Sequence, residues 1–242
     1  MVRRKRRRWP AVLIATVLGA GAALMVAMIV GGDGPVGVPD CGEGPTTPGI
    51  DVSYHQDKIQ WSKVRKAGIR FAFIRVSDGT TVEDPRFAEN WAGAKQAHVL
   101  RGAYQFFRPE QSPTAQADLL IAAIARDGGE LPPVIDVEAT GGKSPAQIAG
   151  AIKVWVERVR NRLGVEPIIY TSPEFWRDRV GGADFSAQKL WLAHYTAECP
   201  RVPAPWKAWT FWQYSKTGRV SGIKGDVDLD VFAGTIDDLR RR

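Results

Sequence analysis

Residues 131–140 read LPPVIDVEAT. Apolar, mostly β-branched residues follow the two prolines, which is typical of a short buried strand. Asp136 and Glu138 lie at the end of this strand, although an unpaired ionised carboxylate is costly to bury. Side chains two residues apart on a strand share a face, so both acids point one way, whereas Ile135 and Val137 point the other. The stretch therefore predicts a buried strand that ends in a polar cleft.

Short strands alternate with helices along the chain from Gly49. Besides the strand within 131–140, we predict strands at 49–53, 71–77, 99–107, 166–172, 189–195 and 208–215. We predict helices at 61–67, 84–97, 112–124 and 144–164. This alternation is typical of a parallel sheet covered by helices. About seven strands without a glycine-rich phosphate loop favour an irregular TIM-like (β/α) barrel over a dinucleotide-binding sheet.

Functional residues of such a barrel gather at the carboxyl ends of its strands. Asp51 lies near the end of the first strand, while Asp228 and Asp230 follow near the end of the chain. Closure of the barrel would bring these acids close to Asp136 and Glu138. Carboxylates in one cleft cannot all ionise cheaply, so at least one should hold a proton near neutral pH. A protonated acid beside an ionised one is what cleavage of a glycosidic bond requires.

The segments before the barrel predict export. Residues 1–8, MVRRKRRR, form a basic cytoplasmic stub, and 9–32 contain an apolar run long enough to cross a bilayer. The run fits an uncleaved signal anchor, and it also fits a cleaved signal peptide with AGA at 20–22 as its processing site. A Gly/Pro linker at 33–48 then leads to the barrel domain at 49–242. Either interpretation places the domain outside the cytoplasm, tethered to the membrane or secreted.

Charge and residue counts exclude several classes of function. The net charge is +7, but six basic residues lie in 1–8 and three arginines end the chain, which leaves a formal charge of −2 elsewhere. Nucleic-acid binding is therefore not expected. The three histidines show no metal-ligand spacing, so we expect no metal or cofactor, and a metal-dependent hydrolase is a minor alternative. The two cysteines, Cys41 and Cys199, are a possible disulfide in an exported protein.

An ordered set of motifs resembles glycoside hydrolase family 25, the Chalaropsis-type lysozymes that also include phage and bacterial muramidases. The motifs span about residues 49–239. They are GIDVSYHQ (49–56), FAFIRVSDGTTVEDPRFAENWAGAKQAHVLRGAYQFF (71–107), PVIDVE (133–138), PIIYTS (167–172), LWLAHY (190–195), WTFWQYS (209–215) and GDVDLDVF (225–232).

The resemblance implies an irregular β/α barrel that cleaves the β-1,4 bond between N-acetylmuramic acid and N-acetylglucosamine in peptidoglycan glycan strands. It implies that Glu138 is the general acid and that Asp136 orients or stabilises the substrate's N-acetyl group. Asp51 and Asp228 match the other two acids of the family cleft, and Asp228 rather than Asp230 aligns with the family's V-D-L. The positions that match the sugar groove are Tyr104, Tyr170, Trp191 and Gln213.

This chain departs from the family pattern at three positions. Arg75 and Asp78 replace a common Lys and Glu at the end of the second strand, and Gln105 replaces a common His in the third. These departures motivate an alternative function, a non-catalytic, membrane-anchored glycan-binding module. The resemblance leaves open a covalent adduct, assistance by the acetamido group or direct attack by water. We expect the domain to act as a monomer.

Overall fold

The computed structural model describes residues 41, 44–196 and 198–240 of the 242-residue chain. The predicted basic stub, the apolar segment at 9–32 and most of the linker lie outside these residues. Among the residues that are described, no helix combines the length and the apolar character needed to cross a membrane. The last linker residues already belong to the first strand, which begins at Thr46.

Nine strands and six α-helices make up the described domain. The strands are β1 (Thr46–Val52), β2 (Phe71–Asp78), β3 (Val82–Glu83), β4 (Leu100–Phe106), β5 (Val134–Asp136), β6 (Ile168–Thr171), β7 (Lys189–Ala193), β8 (Phe211–Gly218) and β9 (Val227–Ala233). The α-helices are α1 (Trp61–Lys66), α2 (Phe87–Gln96), α3 (Pro113–Ile124), α4 (Pro145–Leu163), α5 (Pro173–Phe175) and α6 (Ile236–Arg240). A 3₁₀ turn covers Tyr54–Gln56, and a π turn covers Trp176–Val180.

Eight of the strands close into a barrel, with β3 added to β2 as a hairpin. The strands run in the order β1, β2, β4, β5, β6, β7, β8 and β9, and β9 pairs with β1 to complete the circle. All pairings within the circle are parallel except those of β9, which is antiparallel to both of its neighbours. The sequence therefore predicts the closed α/β barrel correctly, but it misses β9 and β3 as strands.

Helix α4 shows how local sequence sets the elements around the barrel. The Ser144 side chain accepts a hydrogen bond from the Gln147 backbone N–H, and the Gln147 side-chain oxygen accepts one from the Ser144 backbone N–H. Pro145 occupies the first turn, where its missing N–H costs nothing, and Gly164 ends the helix with a positive φ of 72°. The buried face of α4 packs against the outside of the barrel.

Two apolar layers lie on either side of the sheet. Ile135 and Val137 belong to the outer layer, together with the buried face of α4, as predicted. Val134 belongs to the inner layer, which fills the barrel mainly with the aromatic rings of Phe71, Phe73, Tyr104, Tyr170, Trp191, Phe211 and Phe232. Because side chains alternate along β5, Asp136 shares the inward face with Val134. The strand thus buries its apolar residues and still presents its acids to the inside of the barrel.

A disulfide joins Cys41 to Cys199, with their Cα atoms 5.5 Å apart. The bond spans 158 residues of sequence and fastens the segment before β1 to the loop between β7 and β8.

Candidate active site

Four acidic side chains meet at one end of the barrel. Asp51 lies near the end of β1 and Asp136 at the end of β5, with Glu138 two residues further on. Asp228 lies at the start of β9, but β9 runs antiparallel to β1, so Asp51 and Asp228 are direct partners in the ladder. The fold therefore brings together all four acids that the sequence singles out.

The acids differ in their access to solvent. Asp51 and Asp136 are each 5% exposed, and Oδ1 of Asp136 is a buried oxygen without a hydrogen-bond donor. Asp228 is half-buried, while Glu138 is exposed at the rim. The cleft thus runs from two buried carboxyl groups to one that solvent and a ligand can reach.

Burial raises the pKa of both inner acids well above the usual value. Repulsion from Asp228 and Asp230 adds to the effect at Asp51, and repulsion from Glu138 adds to it at Asp136. Arg75 opposes the rise at Asp136 but does not cancel it. The inner acids therefore hold protons more strongly than free carboxyl groups do.

The two outer acids are also shifted toward the protonated form. Partial desolvation raises the pKa of Glu138, repulsion from Asp228 adds to it and Arg108 opposes it. Burial raises the pKa of Asp228 to about 6, with Lys216 opposing the rise. A carboxyl group that is reachable and still protonated near neutral pH is suited to general acid catalysis.

Arginines lie near the acids without neutralising them. Arg75 binds Asp84 at 3.1 Å and covers the ring of Tyr54, and Arg108 makes a two-pronged contact with Asp78 at 2.5 and 2.7 Å. In the described part of the chain, no salt bridge reaches the four acids of the cleft. The cleft therefore contains carboxyl groups that repel one another when they are ionised. Such a cluster is unfavourable for folding, so it indicates a functional site.

Gln213 connects the acids to the aromatic residues. Its Oε1 accepts hydrogen bonds from the hydroxyl groups of Tyr170, at 2.9 Å, and Tyr195, at 2.6 Å. Its Nε2 donates to Oδ2 of Asp51 at 2.5 Å. The two tyrosines fix which end of the amide faces Asp51, so this carboxyl group receives a donor.

The aromatic residues that are predicted to line the sugar groove lie deeper in the barrel than Glu138, which is exposed at the rim. Tyr104 is 8% exposed, Tyr170 is 6% exposed and Trp191 is 1% exposed. The Trp191 ring stacks on Phe73 with centroids 4.3 Å apart, and its edge meets Tyr170. These rings form the floor of the cleft, and their predicted contact with sugar remains a prediction.

The barrel and its cleft match known proteins. Residues 50–223 match the model of Glycosyl hydrolases family 25, which is more than half of the chain. The chain belongs to this family. Asp51, Asp136 and Glu138 lie inside the matched stretch, whereas Asp228 lies just beyond it.

Individual relatives agree with this assignment. The chain is 40% identical over 199 residues to lysozyme M1 of Streptomyces globisporus, covering 77% of this chain and 68% of the relative. It is 31% identical over 212 residues to the N,O-diacetylmuramidase of a Chalaropsis species, covering 81% and 98%. Among solved structures, the bacterial lysozyme from Streptomyces coelicolor superposes with a TM-score of 0.75 at 36% identity, covering 81% and 96%.

One departure from the family 25 pattern does not reach the cleft. Gln105 is fully buried on the outer face of β4, where its Nε2 donates to Oγ of Ser77 and its Oε1 accepts from Nε1 of Trp155, both at 2.8 Å. Its role in this structure is to join two strands to α4. Arg75, by contrast, reaches the inward side and acts on Asp136.

The sequence also predicts aromatic residues at or near strand ends at Tyr54, Tyr195, Trp212 and Tyr214, and the alternation of side chains along the strands separates them into two groups. Tyr54 and Tyr195 are 40% and 48% exposed at the rim. Trp212 and Tyr214 belong to the outer layer, because they alternate with the inward residues of β8. The sequence predicts which aromatic residues lie near strand ends, but the face that Trp212 and Tyr214 occupy depends on how side chains alternate along β8.

Asp230 is a buried acid that the family alignment passes over. It shares the inward face of β9 with Asp228, since the two are separated by Leu229. It is fully buried, and its Oδ1 accepts a hydrogen bond from Nε1 of Trp191 at 2.8 Å. The D-x-D spacing is a signal for its position, but the sequence does not reveal its depth.

Proposed function

We propose that this family 25 barrel cuts the β-1,4 bond between N-acetylmuramic acid and N-acetylglucosamine, with Glu138 as the general acid. The chain is a peptidoglycan hydrolase of the lysozyme type, and therefore a glycosidase. The observation that carries the catalytic proposal is the convergence of four carboxyl groups at the mouth of the barrel, to which no salt bridge within the described residues extends.

Glu138 is the acid that fits proton donation. It is exposed at the rim, and its surroundings raise its pKa, so it keeps a proton at a pH where a free glutamate has lost it. In the proposed step, Glu138 passes this proton to the glycosidic oxygen as the bond to the sugar's anomeric carbon breaks. Water then supplies the hydroxyl group that the anomeric carbon gains, directly or after attack by a carboxylate or the acetamido group, and gives up a proton. Repulsion from Asp228 then favours reprotonation of Glu138 from solvent.

The remaining acids support the positive charge that develops on the sugar ring. Asp136 has a buried Oδ1 that lacks a donor, and the N–H of a substrate acetamido group would supply one. Asp51 and Asp228 face each other across β1 and β9, where the ionised member of the pair would stabilise an oxocarbenium-like transition state. Tyr104 and Tyr170 would line the floor beneath the bound sugar.

The substrate lies outside the cytoplasm, so the proposal includes export of the domain. The basic stub and the apolar stretch at 9–32 support export, either as a signal anchor or as a cleaved signal peptide. Fractionation of cells that express the full chain, with the mature N-terminus sequenced, separates a tethered protein from a secreted one.

Product analysis tests the proposed cleavage. Purified cell wall is incubated with the wild type and with Glu138→Gln, and mass spectrometry identifies the sugar at each new reducing end. We expect N-acetylmuramic acid at the reducing end, and a loss of activity of about a thousandfold or more in Glu138→Gln.

The matched control is Glu157→Gln, which makes the same change on the exposed face of α4. It should retain full activity, because Glu157 pairs with Lys153 on its own helix, outside the barrel. Equal turnover by Glu138→Gln and the wild type would rule out Glu138 as the acid. Reducing ends that carry N-acetylglucosamine would rule out the proposed bond.

The alternative of a non-catalytic glycan-binding module loses part of its motivation. One of the three departures behind it, Gln105, packs into the outer layer and does not meet the cleft. The same experiment decides between the two, since a binding module would be retained on cell wall without releasing fragments.

A further inference from the structure

Asp230 is a buried titratable group that the proposed catalytic step does not use. Its Oδ1 accepts from Nε1 of Trp191, whereas its Oδ2 is buried without any donor in the structure. A carboxylate oxygen in such a place is costly to leave unsatisfied, but a protonated carboxyl oxygen needs an acceptor rather than a donor. The acceptor must therefore lie next to Asp230.

Asp51 is that neighbour. Asp230 faces Gly49 in the ladder between β1 and β9, and Asp51 follows two residues later on the same inward face. The side chains of Asp51 and Asp230 approach closely enough for a carboxyl–carboxyl hydrogen bond. Asp51 already accepts from Nε2 of Gln213, which leaves it as the acceptor of the pair.

The charges around the pair argue against two ionised groups. Asp228 and Asp136 are further acids that face it, while Trp191 and Gln213 are neutral. The nearest cations act elsewhere, Lys216 on Asp228 and Arg75 on Asp136. Burial and repulsion from Asp228 raise the pKa of Asp230, the more buried member of the pair, and they outweigh the hydrogen bonds with Trp191 and Asp51, which oppose the rise.

We propose that Asp230 is a neutral positioning residue whose Oδ2–H donates to Asp51, so that Asp51 meets the substrate as an oriented carboxylate. Asp51 then receives two donors, one from Asp230 and one from Gln213. Trp191 fixes Asp230, and Tyr170 fixes Gln213, so both donors are themselves held in place. This inference rests on the proposed function, since it concerns how one acid of the glycosidase cleft is held.

The pair of variants Asp230→Asn and Asp230→Ala tests the inference. In Asp230→Asn the amide oxygen still accepts from Trp191 and the amide N–H replaces the O–H that points at Asp51. We therefore expect Asp230→Asn to keep kcat within about threefold of the wild type. Asp230→Ala removes the donor, and kcat should fall by about tenfold to a hundredfold, as expected when a charged group loses one hydrogen bond.

An infrared spectrum adds a readout that a purely packing role would not change. The wild type at pH 7 should show C=O stretches of buried protonated carboxyl groups, and the difference spectrum between the wild type and Asp230→Asn should show that one such band is lost. The spectrum also decides the matter if Asp230→Ala does not fold. Thermal unfolding of each variant identifies that case.

The outcomes separate this inference from the proposed function. A wild type that releases no glycan fragments overturns the proposed function, while the infrared band still reports on Asp230. An active wild type with Asp230→Asn as impaired as Asp230→Ala overturns the inference, because an ionised Asp230 would then be required. An unchanged infrared spectrum in Asp230→Asn overturns it as well.

Discussion

The two ends of the barrel use carboxyl groups in opposite ways. Near the start of β4, Asp127 and Glu130 surround Arg101, whose side chain is only 1% exposed, with salt bridges of 2.8 and 2.7 Å. At the other end, Asp51 and Asp136 are also buried, but no salt bridge among the described residues reaches them. At one end the acidic side chains are paired with an arginine, whereas at the other end acidic side chains lie close to one another.

The pKa shifts follow from this difference. At the end near the start of β4, called the closed end below, hydrogen bonds from Arg101 hold the pKa of Asp127 well below its usual value. Burial raises the pKa of Glu130, but the bonds from Arg101 outweigh it and the net shift is downward. At the mouth, burial and repulsion raise the pKa of Asp51 and Asp136. Acids at the closed end stabilise the fold, whereas acids at the mouth cost stability, which fits the catalytic role proposed for them.

The largest effect on stability should come from removing the buried cation at the closed end. Arg101→Met removes the guanidinium that pairs with Asp127 and Glu130 and lies 4.6 Å from the ring centre of Trp91, and it leaves Asp127 only its contact with the exposed Lys95 among the salt bridges of the described residues. We expect the free energy of unfolding to fall by about 2–4 kcal/mol, toward the lower side because both acids are about one-third exposed. Urea denaturation measures the loss, and kcat per folded molecule should not change.

Arg158→Met is the control for this variant. Arg158 makes a similar two-pronged contact with Asp118, but both side chains are more than one-third exposed. The loss should be about 0–1 kcal/mol. Equal losses in the two variants would show that burial of Arg101 does not matter, and the comparison between the two ends would fail.

A smaller effect of opposite sign is expected at the mouth. The pKa of Asp136 is raised on folding, so its ionisation opposes folding as the pH rises through the folded pKa. Asp136→Asn should therefore stabilise the fold by about 1 kcal/mol at pH 8, a rise in Tm of about 2–4 °C. Below the pKa of an unfolded aspartate the gain should vanish. Thermal unfolding at pH 3 and pH 8 measures both.

Asp127→Asn provides the reciprocal test of the sign. The pKa of Asp127 is lowered on folding, so its contribution is present above the unfolded pKa and is lost as the pH falls through the folded pKa. The variant should be less stable than the wild type at pH 8. If both substitutions changed the Tm in the same direction, the two ends would not differ electrostatically as described.

The closed end and the mouth also differ in how well sequence predicts them. The alternation of apolar residues in LPPVIDVEAT correctly predicts that Ile135 and Val137 face the helices. The predicted helix at 144–164 agrees with α4, because Ser144-Pro145 is a local start signal and Gly164 a local stop signal. These features are local, so a few neighbouring residues suffice to determine them.

What sequence misses depends on pairing between distant segments. Strand β9 is antiparallel and alternates acids with apolar residues, so GDVDLDVF does not resemble the apolar parallel strands before it. Asp230 looks like a second copy of Asp228 until the ladder with β1 places one at the rim and the other inside the barrel. Gln105 looks like a change in the site until the phase of β4 turns it outward.

The smallest effect is expected at the rim, where Lys216 is a cation that acts on Asp228. Its Nζ lies 5.5 Å from the ring centre of Tyr195, and its charge opposes the burial that raises the pKa of Asp228 to about 6. Lys216→Met should raise the pKa of Asp228 by a few tenths of a unit, and 1 M salt should abolish the difference because exposed charges are then screened within about 3 Å. Carbon NMR titration of the Asp228 carboxyl group measures the shift, and Lys153→Met, on the outer face of α4, should leave it unchanged. A pKa that does not respond to Lys216→Met would mean that the solvent, rather than this lysine, sets the charge balance at the mouth.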